Sequence, residues 1–124
     1  MVKNLVVLAV DDDMINLKLL KSMLTKNEHI REVVEARNGA DAIECIKSRE
    51  DIDLILLDII MPIMGGIEML KVVRSDKNIK QLPIIVLTTD ETKKNEALEL
   101  GANGFLMKPI RSVDLFQKIS DLVI

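Results

Sequence analysis

Five apolar runs punctuate the chain: Leu5 to Val10, Arg31 to Ala36, Ile52 to Leu57, Pro83 to Thr88, and Gly104 to Met107. The first, third and fourth are nearly unbroken Val, Ile and Leu, the pattern of strands buried on both faces of a parallel sheet. The second, REVVEA, is more polar and suits a sheet edge. Between the runs, apolar residues recur at helical spacing: Leu17, Leu20 and Leu24, then Ala42, Ile43 and Ile46, then Ile67, Leu70 and Val73. Charged residues occupy the opposite face of each. Two further helices are expected, from Thr92 to Leu100, stopped by Gly101, and from Val113 to Val123, capped by Ser112. This alternation predicts an α/β fold, a doubly wound parallel sheet with right-handed crossovers and five helices.

Charge enters the pattern where strands end. Asp11 and Asp12 close LVVLAVDD, Asp58 closes IDLILLD, and Lys108 closes NGFLMKP. All four therefore fall at carboxyl ends, outside which such sheets bind ligands at a topological switch point. Two carboxylates about 4 Å apart repel by ~4 kcal/mol even at an effective dielectric of about 20, so the cluster calls for a cation. Magnesium suits it, because this ion typically takes one or two carboxylates, keeps several waters and completes its shell with phosphate oxygens. A metal beside a free carboxylate and a lysine makes a phosphoryl-transfer site, in which Asp58 can become an aspartyl phosphate. Thr88, at the end of PIIVLT, would bring a hydroxyl donor to the phosphoryl oxygens. Taken singly, Asp58 reads equally as a cap or turn residue, and a hydroxyl at a strand end is common. Together with the other charges, these residues point to phosphoryl chemistry.

Composition removes several other classes. The 124 residues, 48% hydrophobic, suit one domain over 1–124 and leave no room for a separate output domain. A net charge of -3, two Phe and no Tyr or Trp argue against a nucleic-acid partner. No apolar run reaches the ~18 residues of a membrane span, so a cytoplasmic protein with no membrane partner is expected. Cys45 is the one cysteine and lies beside an apolar stripe, where a packed thiol is the default. His29, the one histidine, sits in the polar stretch KNEHIRE and reads as a solvated loop residue.

The segments VDDD, LLDIIMPIMGG, PIIVLTTD and GANGFLMKP, in this order, span the chain. It resembles the receiver domains of two-component response regulators, in particular the stand-alone, chemotaxis-regulator-like members. That resemblance implies a flavodoxin-like sheet with strand order 2-1-3-4-5. It implies Asp58 as phosphoacceptor, and Mg2+ held by Asp11, Asp12 and Asp58 with help from the Ile60 carbonyl. It also implies that Thr88 and Lys108 bind the phosphoryl group, that Phe105 reorients on activation, and that the Lys108–Pro109 bond is cis. The expected partners are a histidine kinase or phosphotransfer domain as donor, and an effector docking on the face of helix 4, strand 5 and helix 5. A monomer is expected, acting as a switch and not as an enzyme.

A few positions depart from the common pattern of that family. Gly65 replaces an aspartate in the turn before helix 3, Thr89 stands where alanine or glycine is frequent, and Ile60 and Asp90 occupy positions that tune dephosphorylation. Two rival readings are a phosphorylation-independent interaction module and a phosphohydrolase using an aspartyl-phosphate intermediate. The second usually needs an acid/base aspartate two residues after the nucleophile, and Ile60 stands there.

Overall fold

A computed structural model describes residues 4–124. Five strands, β1 (Leu5–Val10), β2 (Ile30–Ala36), β3 (Leu54–Leu57), β4 (Ile84–Thr88) and β5 (Gly104–Met107), alternate with five helices. The helices are α1 (Met14–Leu24), α2 (Gly39–Ser48), α3 (Gly66–Ser75), α4 (Lys94–Glu99) and α5 (Ser112–Val123). All strand pairs are parallel and the order is β2-β1-β3-β4-β5, as expected. Among the described residues no helix is long and apolar enough to cross a membrane.

Strand alternation divides the core into two layers. Val6, Leu8 and Val10 join Ala42, Ile46, Met69, Leu70 and Val73 from α2 and α3. Val7, Leu54 and Leu56 turn the other way, onto Leu24 of α1 and Leu115 and Ile119 of α5. Every residue of β1, β3 and β4 is buried, whereas β2 at the edge exposes Arg31, Glu32 and Glu35. Each fully buried large aliphatic side chain contributes roughly 1.5–3 kcal/mol relative to exposure.

Several boundaries differ from the sequence reading: β2 begins one residue earlier than expected, at Ile30, and β4 one later, at Ile84. β3 begins at Leu54 and not at Ile52, because the Asp53 carboxylate accepts the Val6 N–H at 2.8 Å and the ladder with β1 starts only at Val7 and Leu54. The expected fourth helix opens with a tight 3-10 turn, Glu91–Lys93, capped by the Asp90 side chain. Gly101 does end the helix that follows, at φ 106°, while the Ala102 N–H returns to the Ala97 carbonyl at 3.0 Å. Ser112 is not the cap of α5 but its first residue, since the Leu115 N–H already bonds the Arg111 carbonyl at 3.0 Å. His29 is less solvated than its polar neighbours suggest, with its side chain 18% exposed.

Candidate functional site at the carboxyl ends of the strands

Parallel strands carry their last residues to one rim of the sheet, and β1 and β3 are neighbours. The Asp58 N–H bonds the Val10 carbonyl at 2.9 Å, which aligns the residue after β3 with the residues after β1. Asp11, Asp12 and Asp58 consequently each bring a carboxylate oxygen within 4.8 Å of the others. Asp11 is buried, Asp58 is half-buried and Asp12 is exposed, so the cluster opens toward solvent on one side. An oxygen-only donor set of this kind could hold a hard divalent cation.

Lys108 supplies the protein's own positive charge. The residue follows β5, and its N–H donates to the Thr88 carbonyl at 2.8 Å. Its Nζ donates to Asp11 Oδ2 at 2.9 Å and lies 3.5 Å from Asp58 Oδ1. Burial pushes the Asp58 carboxyl above its ordinary value; Lys108 opposes the rise and the Asp11 charge adds to it. Burial would pull Lys108 down, but its hydrogen bond to Asp11 and the charge of Asp58 outweigh it and hold the ammonium above the usual lysine value. A single ammonium thus leaves the three acids with excess negative charge.

Thr88 ends β4 with its side chain 1% exposed as a residue, and its Oγ1 accepts the Asp90 N–H at 3.2 Å. A hydroxyl that accepts in this way keeps its own hydrogen to donate. Ile60 lies two residues past Asp58 with its side chain outward, 66% exposed. Phe105, half-buried on β5, packs against the core layer of α2 and α3. The Lys108–Pro109 bond is cis, as expected.

Two residues at this rim escaped the sequence reading. Gly66 starts α3 so close to the end of β3 that a Cβ would collide with the Asp58 carbonyl and lie 2.8 Å from Ile59 Cα. The turn expected at Gly65 did not show this approach. Arg37 donates from Nε and Nη2 to the Asp12 carbonyl, at 3.2 and 2.9 Å. The register reveals it: β2 pairs with β1 at Ala36 and Val10, so the residues just past the two strand ends meet.

The family model of the response regulator receiver domain matches residues 7–120. The chemotaxis protein CheY homolog of Campylobacter jejuni is 34% identical over 118 residues, covering 94% of this chain and 90% of its own. Among solved structures, chemotaxis protein CheY4 of Vibrio cholerae matches with a TM-score of 0.83 at 32% identity, over 96% of this chain and 98% of that one. The CheX-CheY-BeF3-Mg2+ complex of Borrelia burgdorferi matches with a TM-score of 0.84 at 29% identity, over 97% and 90%. The chain belongs to the response regulator receiver family and is a CheY-like receiver domain of two-component signalling.

Proposed function

We propose that this chain is a phosphorylation-activated switch, in which a histidine kinase or phosphotransfer protein donates a phosphoryl group to Asp58 and the product changes affinity for an effector. The observation that carries the reading is Lys108 Nζ, placed between Asp11 at 2.9 Å and Asp58 at 3.5 Å in a cluster that remains acid-rich. An Asp58 oxygen attacks phosphorus, the bond from phosphorus to the donor's imidazole nitrogen breaks, and the imidazole leaves with the electron pair and takes a proton from water. Esterification replaces one negative charge with about two, so the site gains only about one, which Lys108 meets by turning to the phosphoryl oxygens. Mg2+ fits the donor set of Asp11, Asp12 and Asp58 with the Ile60 carbonyl, and when bound it neutralises charge on the transferring group. The BeF3 and Mg2+ of the similar Borrelia burgdorferi complex support the same chemistry here.

Asp58→Ala should abolish labelling by phosphoramidate while the fold persists, since only the nucleophile is lost. Intact-mass detection of an undiminished phosphoryl adduct in that variant would sink the assignment, and a wild-type chain that takes no label would favour an interaction module. A phosphohydrolase is disfavoured because Ile60 has no proton to give.

The signal should leave through α4, β5 and α5. Thr88 ends β4, Lys108 follows β5, and the two are joined by a backbone hydrogen bond; Phe105 lies three residues before Lys108, and Leu98 and Met107 expose apolar surface there. A phosphoryl group that draws the Thr88 hydroxyl and the Lys108 ammonium inward selects a state with Phe105 turned in, changing partner affinity by ~1–3 kcal/mol. Amide shifts on adding beryllofluoride and Mg2+ should therefore extend through α4, β5 and α5. Changes confined to α1 and α2 would place the output face elsewhere. In this reading the protein is a cytoplasmic monomer, a single domain over 1–124, and a switch rather than an enzyme for an external metabolite.

A further inference from the structure

Arg37 is exposed at the end of β2, yet it forms no ion pair with a carboxylate among the described residues, unlike Arg31 and Arg49. It commits two guanidinium donors to one backbone carbonyl, that of Asp12. That carbonyl shares its planar peptide group with the N–H of Asp13, which donates to Asp11 Oδ1 at 3.0 Å. Asp11 Oδ2 in turn accepts Lys108 Nζ at 2.9 Å, and Lys108 reaches Asp58 at 3.5 Å. A continuous chain of polar contacts therefore runs from a surface arginine to the candidate phosphoacceptor.

We propose that Arg37 is a positioning residue for phosphoryl acceptance: by clamping the Asp12–Asp13 peptide it fixes the Asp11 carboxylate, and through it Lys108. The role rests on the phosphoacceptor reading of Asp58. Two effects act in the same direction. A forked guanidinium holds the carbonyl in one orientation, so the N–H on the opposite side of the peptide plane is aimed at Asp11. Positive charge at the carbonyl oxygen also polarises the peptide and makes its N–H a stronger donor toward the buried Asp11 carboxylate. Asp11 is 4% exposed, so protein groups rather than bulk water set its orientation.

The test compares wild type with Arg37→Ala and Arg37→Lys. In metal-free protein the Asp13 amide proton should move upfield and exchange faster in Arg37→Ala, with the remaining amide spectrum folded. Mg2+ affinity by calorimetry, and the labelling rate with phosphoramidate at saturating Mg2+, should each fall about tenfold, the low end of what losing a partner of a metal ligand costs. Arg37→Lys should recover little, because an ammonium keeps the charge but not the fork. An unmoved Asp13 amide in Arg37→Ala overturns the clamp. Full recovery by Arg37→Lys overturns it in favour of simple charge, as would tighter Mg2+ binding in Arg37→Ala. A responding amide with unchanged affinity and rate overturns the positioning role. Wild type that takes no phosphoryl group while its Asp13 amide responds overturns the phosphoacceptor reading itself, a result distinct from the others.

Discussion

Asp58 stands between two demands, since the nucleophile proposed here needs its charge and a half-buried acid beside Asp11 is penalised for it. Its carboxyl is raised from 3.8 chiefly by burial, with Asp11 adding to the rise. In the window between 3.8 and the raised folded value the native state binds the proton more tightly than the unfolded chain, so stability falls as pH rises through it. In chelated protein Asp58→Asn should therefore melt higher than wild type at neutral pH. The gain should vanish as the pH drops below the ordinary aspartate range, and calorimetric melts across pH measure it; a loss at neutral pH would contradict the charge balance described. Asp11, Asp12, Asp58, Thr88 and Lys108 were legible in the sequence because each interrupts an apolar run. Arg37 was not, since it belongs to a polar stretch and its contact depends on the register that sets Ala36 beside Val10.

The elements were legible wherever burial is two-sided or strictly periodic, as in β1, β4 and the Leu70 and Val73 face of α3. They were misread where a single polar group replaces a ladder or a cap: Asp53 cuts β3 short, and Asp90 starts a 3-10 turn ahead of α4. The approach of α3 to β3 was invisible because it depends on the absence of an atom at Gly66. Gly66→Ala adds that atom against the Asp58 carbonyl and Ile59, and relief requires α3 to withdraw from the rim. Overpacking of this kind costs ~1–3 kcal/mol, and at the first position of the helix alanine regains little of its propensity over glycine, which belongs to the helix interior. Thermal melts should register that loss, and labelling of Asp58 should slow with it; a variant as stable and as fast as wild type would show that α3 can slide freely.

Across the whole molecule the two ends of the sheet carry acids of opposite behaviour. Near the amino end of β2, Arg49 holds Glu32 at 2.9 Å and Asp51 at 2.7 Å, and these bonds keep both carboxyls below their usual values. Depressed folded values mean stability that is present above the ordinary carboxylate range and lost as pH falls through them. Arg49→Ala should then be less stable than wild type near neutrality, and the gap should close in acid, the reverse of the trend for Asp58→Asn. A gap that persists unchanged at low pH would assign the loss to packing of the arginine stem instead. At the other end, Lys108 and Asp11 are 97 residues apart in sequence. During synthesis the acids that follow β1 and β3 leave the ribosome long before Lys108, and through that interval the acidic cluster lacks the ammonium that balances it. On the proposed reading, competence to accept and report a phosphoryl group arrives only with the last strand, and a chain cut short before β5 should be silent.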